Sequence, residues 1–246
     1  MNNAITVSVD YNYINYLNSF INSIQNIKTK LDIFVRVIDF TDLQINEIKK
    51  KYPNIKLIID TPNLSNIKSI YRTKDRWDFI DYGIENITDV KKILNSPRGC
   101  YSCHSRFLSI KELLNKDYNV LSLDADTLFF KNFDYIFNNL QFDIYTVEDT
   151  NKNNKNIFSN EGFLLFKNNK KTKDYISKVS NYIFSDKRYV NWNIDNYALH
   201  NFLNDDISVK LLDVKYKDKT LSENSIMWSG TGKIKYEKSF IKKMYE

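Results

Sequence analysis

Asp124-Ala125-Asp126 sets two carboxylates around one small side chain, directly after the apolar run Val120-Leu121-Ser122-Leu123. Such a run reads as a buried strand, and the crevice beyond a strand end is where α/β sheets bind ligands. Two carboxylates there can reach a common point. Hard oxygen donors with open positions suit Mg²⁺ or Mn²⁺, with phosphate oxygens and water completing the shell. An ion so held would neutralise charge developing on a diphosphate leaving group. A bare D-x-D more often only solvates a turn. Here the flanking apolar strand and the following Thr127-Leu128-Phe129-Phe130 make the motif more specific.

Three further groups of residues have chemical potential. Cys100-Tyr101-Ser102-Cys103-His104 has the form C-x-x-C-H, the pattern of c-type haem attachment. No export signal accompanies it, and a zinc ion would need two more ligands, with only His200 left besides carboxylates. The expectation is two small buried thiols at a helix entrance. Lys233 follows a glycine-rich turn, Gly230-Thr231-Gly232, and can contact a diphosphate. Trp77, Trp192 and Trp228 fall in polar contexts and are candidates for an acceptor site, while most of the other aromatic residues belong in a core.

The elements that must position these groups follow from hydrophobic periodicity. Strands are expected at 5–9, 31–38, 55–59, 120–123, 142–147, 163–166 and 209–212. Helices are expected over 14–24, 105–114, 172–184 and 194–203, with a short one near 133–137. Thr41-Asp42-Leu43-Gln44 has the form of a capping box opening a helix toward Lys51. Strands alternating with helices predict an α/β fold with a mixed, mostly parallel central sheet. Residues 60–97 are less regular and read as an insertion over the sheet edge. Residues 217–246 read as a segment closing over the site, and the whole of 1–246 as one domain.

Composition narrows the chemistry. The 246 residues include 5 Gly and 2 His, with no G-x-G-x-x-G and no H-E-x-x-H. Fingerprint-type dinucleotide binding, a Walker A loop and a zincin centre are excluded. A net charge of +6 favours anionic partners, yet the basic residues are scattered, which argues against nucleic acid. Two cysteines and no signal peptide or long apolar stretch lead to the expectation of a cytoplasmic protein. The run Lys235–Lys243 could dock on an anionic membrane, though a solvated terminal helix accounts for it better.

Two families share the local acidic pattern. Leu123-Asp124-Ala125-Asp126-Thr127 resembles the D-x-D-x-T of haloacid-dehalogenase-type phosphatases, in which Asp124 would be the nucleophile. That motif normally lies near the domain start, and no Gly-Asp pair follows here. The chain resembles nucleotide-sugar glycosyltransferases of the GT-A fold, especially family 8, over more of its length. The similar segments, in order, are Thr6–Asp10 with Tyr13, Arg106-Phe107, Val120–Leu128, Asn160–Phe166 and Trp192–Leu199.

The resemblance implies a metal-dependent, retaining transfer from a nucleoside diphosphate sugar, a UDP-sugar first, to a glycan, lipid or protein acceptor. It implies Asp126 as principal ligand of Mn²⁺ or Mg²⁺, with Asp124 reaching both metal and ribose. Asp10 and Tyr11 would face the base and ribose, and Arg106 and Lys233 the nucleotide. Asn160 and Asp195 would bind sugar hydroxyls, with Gly162 and Gly230 shaping the pocket. As plain structure, Asn160 is a loop cap and Asp195 a helix N-cap. The sequence departs from family 8 at Met227, where a metal-ligating His is expected, and this keeps open a degenerate fold that only binds nucleotide or glycan.

Overall fold

The computed structural model describes residues 2–64, 70–73, 90–95, 97–148, 157–158, 162–185, 194–230 and 234–245. Seven strands form the main sheet: β1 (Asn2–Asp10), β2 (Asp32–Ile38), β3 (Lys56–Asp60), β6 (Tyr118–Leu123), β8 (Ile144–Val147), β9 (Phe163–Phe166) and β10 (Val209–Leu212). Their order is β10-β8-β9-β6-β1-β2-β3. All neighbouring pairs are parallel except those made by β9, which runs antiparallel to both β6 and β8. The mixed, mostly parallel α/β sheet expected from the sequence is therefore present.

Each face of the sheet carries its own core. On one side α1 (Ile14–Asn26) and α2 (Asp42–Lys51) bring Leu17, Phe20, Ile21, Ile45 and Ile48 against Val7, Val9, Val35 and Val37. On the other, α4 (Arg106–Asn115), α5 (Lys170–Phe184) and α6 (Ile194–Asn201) pack Phe107, Ile110, Ile176, Val179 and Leu199 against Phe166 and Val120. Two covered faces explain why β6 and β9 read as unbroken apolar runs rather than alternating ones. The capping box is formed: Thr41 Oγ1 accepts from the Gln44 amide, and Gln44 Oε1 accepts from the Thr41 amide at 2.9 Å.

Several elements departed from expectation. Pro97–His104 is a helix, α3, separated from α4 by Ser105 alone, whose backbone stays in the helical region. A second small sheet joins β7 (Thr127–Phe129) to β11 (Met227–Ser229), antiparallel, with Ser229 opposite Thr127. Its residues are too few to show a period. In the irregular region, β4 (Ile70–Thr73) and β5 (Val90–Asn95) form an antiparallel pair separate from the main sheet. The chain ends in α7 (Lys238–Tyr245), whose Phe240 is buried against Leu128 and Trp228. Among the described residues, no helix is long and apolar enough to cross a membrane.

Candidate functional site

The parallel register of β1 and β6 aligns Thr6 with Ser122. Four residues beyond Thr6, β1 ends at Asp10, and two residues beyond Ser122, just past the end of β6, stands Asp124. Both strands thus deliver carboxylates to the same carboxy-terminal edge of the sheet, where ligand crevices form. Asp10 is buried, and its Oδ1 accepts from the Asn12 amide at 2.9 Å, fixing the turn that carries Tyr11. Burial raises the Asp10 carboxyl above its ordinary value, against that hydrogen bond and the charge of Arg98. Tyr11 is exposed and meets Phe40 edge-on.

Asp124 is held between two cations from distant parts of the chain. Arg106 Nη2 lies 2.9 Å from its Oδ1, and Lys217 Nζ lies 3.6 Å from its Oδ2. Burial favours the neutral acid, but the charges of Arg106 and Lys217 outweigh it and hold Asp124 below the usual carboxylate range. Gly162 opens β9 beside this pair. A Cβ there would fall 1.9 Å from Asp124 Oδ2 and 2.2 Å from Lys217 Nζ, so only glycine leaves room for both.

Asp126, two residues on, is buried. Its carbonyl accepts from the Gly230 amide at 2.7 Å, which continues the β7–β11 ladder to the acidic motif. A Cβ on Gly230 would meet Phe240 Cζ at 2.8 Å and Asp126 Cβ at 3.0 Å. The Asp-Ala-Asp turn and the Met227–Gly230 segment therefore lie side by side, although a hundred residues separate them.

With that geometry in view, the comparisons with known proteins converge. The profile of one family, described as nucleotide-diphospho-sugar transferase, matches residues 68–238, well over half of the chain. The chain belongs to this family.

Solved structures show the same fold. The glycosyltransferase GlyE of Streptococcus pneumoniae TIGR4 aligns over 100% of this chain with a TM-score of 0.64 and 14% identity. The galactosyltransferase LgtC, solved with donor and acceptor sugar analogues, aligns over 98% with a TM-score of 0.61 and 14% identity. The bifunctional glycosyltransferase WbbM aligns over 99% at 0.59 and 14% identity. The chain spans 95% of the LgtC chain but only 61% of GlyE and 49% of WbbM. A search of curated protein sequences finds no match.

Transferases of this fold commonly use a divalent ion, and the acidic motif is where its fit can be tested. Asp124 and Asp126 offer hard carboxylate oxygens two residues apart in the chain. Among the described residues no His, Cys, Asp or Glu completes a three-ligand group with them. Two carboxylates plus diphosphate oxygens and water suffice for Mg²⁺ or Mn²⁺, so the donor set fits with the substrate supplying the rest. Met227 does not take part in the manner of a histidine: it is fully buried among Phe129, Phe133 and Ile226 in the apolar core.

Asp195 stands on the first turn of α6, buried, with its Oδ1 accepting from the Asn196 amide at 2.8 Å and lying 3.7 Å from His104 Nε2. Burial works against its charge, yet His104 and Arg106 keep its carboxyl below the ordinary range. Arg106 ties this corner to the acidic motif. Besides Asp124 it reaches Cys103, donating to its carbonyl at 2.8 Å and its Sγ at 3.3 Å. Burial pushes the Cys103 thiol up to about 12, against Arg106 and with the help of Asp195 and Asp124. The structure thus gathers Asp124, Asp126, Arg106, Asp195, Gly162 and Gly230 around one edge of the sheet.

Lys217, His104 and Cys103 were not singled out for the site from the sequence. Lys217 sits in an ordinary-looking Lys-rich stretch, and only its burial marks it. The other two belong to the C-x-x-C-H run but lie on α3 itself, with Cys100 buried and Cys103 partly exposed. Trp228 is a correction: it is buried against Phe240, so its indole is core and not an acceptor platform. Asn160, Lys233, Trp77 and Trp192 lie outside the described residues.

Proposed function

We propose that this chain transfers a glycosyl unit from a nucleoside diphosphate sugar, a UDP-sugar first among them, to a carbohydrate, lipid or protein acceptor. The observation that carries this reading is Asp124-Ala125-Asp126 at the end of β6, with Asp124 fixed by Arg106 and Lys217. Two carboxylates with adjacent cations form a cluster of mixed charge, suited to a ligand that is anionic at the diphosphate and hydroxyl-rich at the sugar.

In the proposed reaction Asp126 is the main holder of a divalent ion, Mn²⁺ or Mg²⁺, with Asp124 assisting. Bound there, the ion supplies charge neutralisation for the departing diphosphate. Arg106 and Lys233 add fixed positive charge on the nucleotide side, where developing charge needs preorganised partners. Asp195 accepts hydrogen bonds from sugar hydroxyls, Asn160 accepts or donates them, and together they orient the anomeric carbon. Asp10 and Tyr11 face the nucleoside. Retention of anomeric configuration is part of the proposal, in keeping with the family 8 resemblance.

Calorimetry with UDP, with and without Mn²⁺, tests the assignment, together with product analysis on UDP-sugars. Tight UDP binding that needs Mn²⁺ and is lost in Asp126→Ala is expected, as is release of UDP on turnover. Binding untouched by Asp126→Ala would refute the metal assignment. Inorganic phosphate released from sugar phosphates would instead favour the phosphatase chemistry of Asp124, which neither the family match nor the structural neighbours support.

A further inference from the structure

The C-x-x-C-H run has no part in the transfer just described, yet the fold brings it against Asp195. Cys103 Sγ, a ring nitrogen of His104 and a carboxylate oxygen of Asp195 all lie within 4.8 Å of one another. Cys103 and His104 lie at the C-terminal end of α3, and α6 supplies the acid from a separate element. His104 and Asp195 are buried, and Cys103 keeps partial exposure.

We propose that Cys103, His104 and Asp195 form a site for a thiophilic or borderline divalent cation, Zn²⁺ foremost, separate from the Asp124–Asp126 pair. A tetrahedral ion with bonds of about 2.0–2.3 Å holds its ligand atoms about 3.3–3.7 Å apart. The His104–Asp195 separation of 3.7 Å already meets that spacing, and Cys103 Sγ must close by no more than about an ångström. One sulfur, one imidazole nitrogen and one carboxylate oxygen select zinc or cobalt over the hard ions suited to two aspartates. Burial keeps the Cys103 thiol protonated in the metal-free chain, with Arg106 Nη2 at 3.3 Å from the sulfur, so the ion must displace the thiol proton as it binds. With three protein ligands, a fourth position is left for water, as in open zinc sites.

The site has a consequence that rests on the proposed role of Asp195 in holding the donor sugar. An ion on Asp195 competes with that role, so Zn²⁺ inhibits transfer, and added Mn²⁺ does not relieve the inhibition because it prefers the other donors.

Titration of the purified chain with Co²⁺, without nucleotide, tests the site independently of any transferase activity. A sulfur-to-cobalt charge-transfer band is expected in the wild type and in Cys100→Ser. It should vanish in Cys103→Ser, and His104→Gln should weaken the binding of the ion by at least about tenfold, a loss that even removing a ligand's supporting partner produces. In the unaltered chain, Zn²⁺ should slow alkylation of Cys103 relative to the same reaction without metal, a readout needing no variant. Absence of the band together with unslowed alkylation overturns the site, as does a band that survives Cys103→Ser. If the band behaves as expected while Zn²⁺ leaves sugar transfer unaffected, the inhibitory consequence fails and the metal site stands.

Discussion

Arg106 Nη2 donates to Asp124 Oδ1 at 2.9 Å, joining the start of α4 to the end of β6. The guanidinium is almost wholly buried and the carboxylate keeps 24% of its exposure, so the pair is shielded on one side and open to a ligand on the other. Replacing Arg106 with Met leaves Asp124 with Lys217 as its near cation. The fold should lose roughly 2 kcal/mol, less than a fully buried pair because one partner is partly solvated. UDP affinity should fall by at least about tenfold, the effect of removing one charge-assisted contact. Urea unfolding and UDP titration on the same preparation read the two effects. Unchanged UDP affinity would remove Arg106 from the donor site.

Gly162→Ala should be more damaging to function than to folding. The added methyl collides with Asp124 Oδ2 and Lys217 Nζ, both ends of side chains that can swing away. The fold should therefore survive with a modest loss of about 1–2 kcal/mol. The carboxylate and ammonium cannot keep their present places, so donor affinity and turnover should drop by at least about tenfold, the size of one misplaced contact. A fully active Gly162→Ala enzyme would show that Asp124 is not needed where it now stands.

The contrast between Gly162 and Lys217 shows where the sequence is readable. Phe163–Phe166, buried throughout, carries its own apolar signal; it and the edge strand Val209–Leu212, whose Leu211 is exposed, both lie at the expected residues. The Asp124–Asp126 motif is legible because strand and carboxylates are contiguous. Lys217 is not, because its meaning comes from a partner more than ninety residues away. The β7–β11 pair is hidden for the same reason: three-residue strands have no period, and they are specified by each other. Trp228 misleads because a polar turn follows it in sequence, although Ile226 and Met227 precede it, while its neighbours in space are Leu128 and Phe240.

Thr41→Ala offers a folding variant remote from the site. It removes the hydroxyl half of the capping box at α2, leaving the Gln44 amide to water. The Thr41 bond is long at 3.4 Å and exposed, so the loss should lie near the low end of the capping range, about 0.5–1 kcal/mol. Thermal unfolding should show that decrease with UDP affinity unaltered. A loss of UDP binding here would mean that affinity changes elsewhere report general loosening and not local contacts.

The acid limb of stability should depend on Asp218, which anchors Lys217 next to it in the chain. The Asp218 carboxylate accepts from the Thr220 amide at 2.7 Å, the Thr220 hydroxyl at 2.8 Å, the Ser222 amide at 3.0 Å and the Ser225 hydroxyl. Burial favours its neutral form, but these donors outweigh it and hold the carboxyl far below the ordinary value. A depressed folded value means that the unfolded chain takes up the proton first as pH falls. The contribution is therefore complete above the unfolded value of about 4 and is lost progressively below it. Asp218→Asn should destabilise the fold at neutral pH by about 1–3 kcal/mol, since one acceptor becomes a donor facing donors. It should also flatten the decline of stability between about pH 4 and pH 2, where the wild type loses this contribution. Because Lys217 leaves the same turn toward Asp124, UDP affinity should fall in parallel at neutral pH. Urea midpoints measured across that range decide it: parallel pH profiles for the two proteins would show that Asp218 is not a source of the acid sensitivity.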